Sequence, residues 1–217
     1  MSKSVDHLSE LAAILQHHQI ELPEDQIATL EVYRRTLWQW NEKLNLTRHL
    51  SLKKFVERDI IDSLTIEPFL EPGERVLDVG TGGGVPGMVL AIVRPDLSMT
   101  LSESVAKRAA AATDIVQAVG IEAKVVHGRA EELLADASFN SLTIRAVARL
   151  RKLLLWFEPH WDAIGQVLVI KGPAWVEERK EARQAGLLQH LDLRVLTDYP
   201  LVGTNSRSVL LRIRPKH

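Results

Sequence analysis

The sequence predicts an α/β protein: a seven-stranded doubly wound sheet with an antiparallel terminal strand pair, preceded by an all-helical N-terminal extension. Three observations carry this. Apolar residues recur at helical spacing up to about residue 70, then strand-like and helix-like runs alternate from about residue 71. Arg75-Val-Leu-Asp-Val79 is a short apolar run opening directly onto Gly80-Thr-Gly-Gly-Gly84, as a buried parallel strand followed by a glycine turn should be. Two strand-like runs close the chain with a short linker and no long helix between them, which requires an antiparallel pair.

The elements follow in order. Leu8, Leu11, Ala12, Ile14 and Leu15 predict a helix over 6–19. Pro23 and Glu24 open a second helix, with Ile27, Leu30, Tyr33, Leu37 and Trp40 on one stripe. The segment 41–47 breaks that period. Ser51 is an N-cap candidate for a third helix bearing Phe55, Val56, Ile60 and Leu64, with Pro68 just past its end. After the glycine turn, Pro86 suits a first helical turn, and the helix runs to Ile92 before Arg94-Pro95. Leu97–Leu101 is the second strand, Val105–Val119 a helix ended by Gly120, Val125–His127 the third strand and Glu131–Leu134 a short helix. Ser141–Ile144, Leu150–Phe157 and Gln166–Lys171 read as strand, helix and strand. A helix from Trp175 to about Leu188 precedes the closing strands Leu193–Tyr199 and Ser208–Ile213, joined through 202–206. Two regions result: a helical front end, 1–70, and an α/β domain, 71–217.

Composition bounds the function. The chain has 217 residues, 46% hydrophobic and 25% charged, ordinary values for a globular protein. It has no apolar run of about 18 residues for a membrane span, and its first residues show no signal-peptide pattern. Cysteine is absent, which excludes disulfides, thiolate metal sites and a cysteine nucleophile. No metal and no membrane contact is expected, and the location expected is cytoplasmic. The net charge of −1 gives no global sign of nucleic-acid binding, so any such surface has to be local.

Gly82-Gly-Gly-Val-Pro-Gly87 formally matches the G-x-G-x-x-G fingerprint of dinucleotide sites, with strand before and helix after. Two features turn the reading from NAD(P) towards S-adenosylmethionine. Asp78 before the glycines would repel a pyrophosphate but suits a ligand with an ammonium and no phosphate, and the terminal antiparallel pair is atypical of dinucleotide folds. The alternative for Asp78 is a capping role, bonding turn N–H groups. Glu103, about 20 residues past the turn, stands where an acid grips ribose hydroxyls, or else caps the helix at Val105. In Gly128-Arg-Ala-Glu-Glu132, the N–H groups of Ala130 and Glu131 suit an adenine edge, or the acids simply favour a helix N-terminus. Arg145 at the end of the fourth strand suits a cofactor carboxylate or substrate phosphate, or an ion pair with a nearby acid.

Asn45-Leu-Thr47, Asp62-Ser63, Asp78-Val-Gly-Thr-Gly82, Val85-Pro-Gly87, Gly128-Arg-Ala-Glu-Glu132, Arg145-Ala-Val-Ala148 and Lys171-Gly172 occur in one order. Together, over roughly residues 30–215, they resemble the RsmG (GidB) family of bacterial small-subunit ribosomal RNA methyltransferases. The resemblance implies a Rossmann-like class I methyltransferase fold and S-adenosylmethionine as cofactor. It implies methylation of N7 of a guanine in small-subunit ribosomal RNA, either naked or in an assembled small subunit, by what is expected to be a monomer. It also implies that Gly80, Val85, Ala130, Glu131 and Arg145 line the cofactor site, together with Asp78, Gly82, Gly87 and Glu103 from the residue argument. Departures from the family pattern are Glu103 for Asp, Asp59 for His, Ile144 for Ser and Asn140 for Asp.

Guanine N7 carries a lone pair and no proton, so its methylation needs positioning rather than a general base. No catalytic base stands out here, and positioning is assigned to Arg145 and Lys171. There is no Asn-Pro-Pro or Asp-Pro-Pro segment of the kind used on exocyclic amines. Asn45, Arg48, Arg149 and Arg207 are the RNA-contact candidates, within basic clusters that also include Arg34, Arg35, Lys43, His49, Lys53, Lys54, Arg58, Arg151 and Lys152. Taken singly, such charges are more often solvated surface. The five Trp side chains offer base stacking or core packing. The competing functions are an NAD(P)-dependent oxidoreductase and a non-catalytic ribosome-associated nucleotide-binding module.

Overall fold

A computed structural model describes residues 2–202 and 204–216, with side chains from residue 7 onward. Of the predicted hairpin linker, Gly203 therefore lies outside the described residues. The front end holds α1 (Ser2–His17), α2 (Glu24–Leu44), α3 (Leu52–Lys54), a π-helical turn at Phe55–Ile60, α4 (Ile61–Ile66) and a 3₁₀ turn at Glu67–Phe69. Ser51 caps the third helical segment, its Oγ accepting from the Lys54 N–H at 3.3 Å. That segment differs from the continuous helix expected. Within this wider turn, Arg58 O accepts from Arg145 Nη1 at 2.8 Å.

Then come β1 (Arg75–Val79), α5 (Gly87–Val93), β2 (Ser98–Glu103), α6 (Ala106–Val119), β3 (Ala123–His127), α7 (Ala130–Asp136) and β4 (Phe139–Arg145). The chain ends with α8 (Leu150–Phe157), a 3₁₀ turn at Glu158–Ala163, β5 (Ile164–Lys171), α9 (Trp175–Gln184), β6 (Leu191–Pro200) and β7 (Arg207–Pro215). The sheet order is β3-β2-β1-β4-β5-β7-β6. Strands β1 to β5 are parallel, and β7 inserts antiparallel between β5 and β6, as the short linker requires. Strand order reverses between β1 and β4, and the crevice at their carboxyl ends is the expected ligand site of such a sheet.

Alternation along each strand assigns its side chains to one of two cores. Val76, Met99, Leu101, Leu168, Ile170 and Leu210 share a core with Leu11, Leu15, Leu30, Tyr33, Leu37, Phe55 and Ile60 of the front end. Leu77, Val79, Leu142, Ile144, Val167, Val169 and Leu211 form the other, under α7, α8 and α9. The helical front end thus covers one face of the sheet. This parity also decides where the polar residues go. Asp78 pairs in register with Thr143, and Arg145 lies two residues further along the same face, towards the front end. Lys171 shares the parity of Val167 and Val169 and faces α8 and α9.

Candidate functional site

The glycine turn is held from below, behind and above. Gly80, Gly82 and Gly84 have φ of +65°, +55° and +98°, a region in which side-chain-bearing residues are strained. Asp78 lies beneath the turn, its residue only 1% exposed. Its Oδ2 accepts from the Gly87 N–H at 3.2 Å and its Oδ1 from the Thr143 hydroxyl at 2.9 Å. This is the capping geometry, and Asp78 borders neither cavity described below. Burial pushes its carboxyl up to about 6, against the hydrogen bonds and Arg145, which favour the ionised form. Gly87 is a packing position: a Cβ there would stand 2.4 Å from Leu101 Cδ2 and 2.7 Å from Asp78 Cβ. Val85 is buried in the core against the front end. Tyr33 of α2 donates its hydroxyl to Gly83 O at 2.7 Å, so the front end buttresses the turn directly.

Glu103 does both structural jobs available to it. Its Oε2 accepts from the Gly82 N–H at 3.1 Å and its Oε1 from the Val105 N–H at 2.9 Å, just before α6. It is buried, as is Ser102, whose hydroxyl donates to Asp78 O at 3.1 Å, while Ser104 is exposed on the smaller cavity.

Two cavities open at the carboxyl ends of the strands. The smaller, about 200 Å³, is lined by Gly80, Ser104, Gly128, Ala130, Glu131 and Trp156 among others. Lys152 Nζ stands 5.0 Å from the Trp156 ring centre on its rim. The larger, about 500 Å³, is lined by His49, Arg58, Asp62, Arg145, Arg149, Lys171, Gly172 and Ser208 among others. Val147 borders both. It gets there through Ala146, a non-glycine residue at φ +56° that turns the chain sharply off β4. A Cβ on Gly80 would come within 3.0 Å of Val147 Cγ2, so the turn needs glycine beside this shared residue.

Arg145 is clamped. Its Nη2 donates to Asp59 Oδ1 at 2.7 Å and its Nη1 to Asp62 Oδ2 at 2.9 Å and to Arg58 O. Burial opposes its charge, but the two carboxylates outweigh that and raise its pKa. The ion-pair alternative is therefore the geometry seen, with the guanidinium edge still bordering the larger cavity. Tyr199 donates to the other Asp62 oxygen at 2.7 Å, tying in β6. Lys171 Nζ donates to Ala148 O at 2.6 Å and to Glu178 Oε2 at 2.7 Å, and that same oxygen accepts from the Leu150 N–H. Lys171 thereby pins the 146–150 segment that borders both cavities.

The RNA-contact candidates are more dispersed. Arg149 borders the larger cavity and pairs with Glu181 at 2.7 Å. Arg207 pairs with Asp198 across the hairpin at 2.7 Å. Asn45 is the left-handed C-cap of α2, and both it and Arg48 are exposed, outside the two cavities. The Trp side chains pack against the two cores, and Trp156 also borders the smaller cavity. In the sequence His49 stands out only as part of a basic cluster and Asp59 only as a departure from the family pattern, whereas Asp62 carries a local signal in Asp62-Ser63.

A seven-stranded sheet of this order, with cavities at the carboxyl ends of its strands, defines a Rossmann-like methyltransferase architecture. Solved structures agree on the fold: an O-methyltransferase from Bacillus cereus in complex with SAH superposes with a TM-score of 0.57 at 16% identity, over 85% of this chain and 90% of that one. A ribosomal protein L11 methylase from Lactobacillus delbrueckii gives a TM-score of 0.53 at 18% identity over 72% and 77%. The GidB family model, described as rRNA small subunit methyltransferase G, matches residues 26–207. A protein named ribosomal RNA small subunit methyltransferase G from Rhodopirellula baltica is 44% identical over 193 residues, 89% of this chain and 84% of that protein. One of the same name from Halorhodospira halophila is 32% identical over 94% and 95% of the two chains. The chain belongs to the GidB family, rRNA small subunit methyltransferase G.

Proposed function

We propose that the protein transfers a methyl group from S-adenosylmethionine to N7 of a guanine in small-subunit ribosomal RNA. The observation that carries this reading is the pair of cavities that share Val147, with Gly80 of the smaller one packed against it, in a chain of this family. The residues present fit the cofactor. The smaller cavity, lined by Gly80 of the turn and by the 128–131 segment, is the place for a nucleoside. The glycine at position 80 gives the backbone close approach where a Cβ would close the passage. Gly80, Ala130 and Glu131 would hold the adenosine end directly, with Asp78, Gly82, Val85, Gly87 and Glu103 shaping the turn that presents it.

S-adenosylmethionine supplies a sulfonium-bound methyl, which the N7 lone pair takes as the C–S electrons return to sulfur, with no proton transferred. The chain's own contribution is then positioning. Arg145 is a rigid wall because three acceptors hold it. Lys171 fixes Ala148 and so the segment between the two sites. The larger cavity carries four cations, Arg58, Arg145, Arg149 and Lys171, against the acids Asp62 and Glu178, a balance suited to a phosphate-bearing substrate. The helical front end, 1–70, and Asn45, Arg48 and Arg207 around it would supply RNA contacts. A net charge of −1 supports an assembled small subunit over naked RNA, since non-specific phosphate affinity should be weak. On this reading the protein acts as a monomer in the cytoplasm, where ribosomal RNA is found.

Two measurements test this. Calorimetric titration should show binding of S-adenosylhomocysteine and none of NAD; the opposite pattern would move the protein to the oxidoreductases. Labelled methyl transfer to small ribosomal subunits, followed by nuclease mapping, should yield 7-methylguanine, and no transfer by a chain that binds the homocysteine analogue would leave a non-catalytic binding module.

A further inference from the structure

We propose that His49 reads the target base, accepting the N1–H of guanine at Nε2, with Asp59 fixing the imidazole for that purpose. The inference rests on the guanine-N7 reading above and adds the group that selects the base.

His49 borders the larger cavity together with Arg145 and Lys171. Its Nδ1 lies 2.8 Å from Asp59 Oδ1, and the Asp59 side chain is only 1% exposed. The same oxygen accepts from Arg145 Nη2 at 2.7 Å. An oxygen already accepting from a guanidinium is an acceptor for Nδ1–H as well, so the Nδ1 position carries the proton. With that proton on Nδ1, Nε2 is the nitrogen left for a substrate, and the Nδ1–H tautomer carries its lone pair there. Asp59 is itself immobilised by Arg145, which Asp62 and Arg58 O hold in turn. The imidazole is thus set by a buried chain of partners rather than by its own rotamer preference. Its side chain remains 22% exposed, on the cavity side of that network.

A lone-pair acceptor at that position discriminates by chemistry. Guanine carries a proton on N1, on the ring edge away from N7, and donates it. Adenine carries a lone pair at N1 and would set acceptor against acceptor, which is costly in a partly desolvated cavity. The same contact also contributes to rate. Methylation leaves the purine cationic, which makes N1–H a stronger donor as the transfer proceeds. A hydrogen bond that strengthens along the reaction coordinate raises kcat rather than uniform binding.

A purely architectural His49, tying the 45–50 segment to the π-helical turn, predicts different mutant behaviour. His49→Asn places an amide N–H near the Nδ1 position and keeps the Asp59 contact, but has nothing at Nε2. His49→Gln reaches the Nε2 position with an amide oxygen. Both are assayed by methyl transfer to unmethylated small ribosomal subunits, with S-adenosylhomocysteine calorimetry and thermal melting alongside. The expected result is that His49→Asn lowers kcat/KM about ten- to a hundredfold, mostly in kcat. His49→Gln should recover most of that loss, and homocysteine-analogue affinity and melting temperature should be unchanged in both. Wild-type rates in His49→Asn, or full activity in His49→Asn with loss in His49→Gln, overturn the proposal. So does equal loss in both with lowered melting temperature, which marks an architectural role. If the wild-type chain binds the analogue but methylates no guanine, the functional reading itself fails and takes this inference with it; an active wild type with unaffected variants fails the inference alone.

Discussion

Asp78 shows how one residue type can serve opposite ends of the same turn. Its position before the glycines is compatible with gripping a ligand ammonium or with capping the turn, and the side chain caps it, between Thr143 and the Gly87 N–H. Which one holds depends on the neighbouring strand, because Thr143 is 65 residues away in sequence. The cost is a buried carboxyl whose pKa rises from 3.8 to about 6. The folded chain therefore binds that proton more tightly than the unfolded chain does. The resulting stabilisation is fully present below about pH 4 and is lost as pH rises through about 6, a swing of about 3 kcal/mol. Asp78→Asn titrates no proton there. Urea denaturation from pH 4 to 7 should show the stability of wild type falling by about that amount relative to Asp78→Asn, and a pH-independent difference would refute the assignment.

At the scale of elements, β4 and the π-helical turn act as one unit. Side-chain parity along β4 sends Arg145 to the front-end face, where Arg58 O of the π-helical turn meets it. The guanidinium fork reaches two carboxylates and a carbonyl at once, which an ammonium cannot do. Arg145→Lys should leave at least one of these buried acceptors unmet and lower stability by about 1–3 kcal/mol. Methyl transfer should fall with it, because the wall of the larger cavity loosens; thermal melting and turnover of the variant check both. Sequence periodicity located this third helical segment and its Ser51 cap. It missed the π-helical turn because Phe55, Val56 and Ile60 fit an α-helical stripe equally well, and the extra residue is stabilised by contacts from another strand.

For the whole molecule, the front end and the sheet share one core. Leu11 and Leu15 of α1 are fully buried in the cluster that also contains Val76, Leu101 and Leu210 of the sheet. Tyr33 carries that continuity to the glycine turn, and Asp59 and Asp62 carry it to Arg145. Calorimetry and urea unfolding should therefore show a single transition. Leu15→Ala should lower that one transition by about 2–5 kcal/mol rather than split off the helical region. Two separate transitions would mean that 1–70 folds as an independent unit.

The sequence alone determined the order of strands and helices, the glycine turn after β1, the antiparallel closing pair and, through its motifs, the family. Those properties depend on local backbone preference, on the 2.0 and 3.6 residue periods, and on blocks of adjacent residues, all of which are written along the chain. The tertiary structure decided what Asp78, Glu103 and Arg145 do, because each had two chemically sound partners and only packing chose between them. It also set His49, at the larger cavity, against the buried Asp59, 10 residues apart in sequence and with no motif joining them. Hydrogen-bond partnership and burial are properties of position in space, and a carboxylate becomes a cap, a clamp or a ligand only when the fold has placed a donor beside it.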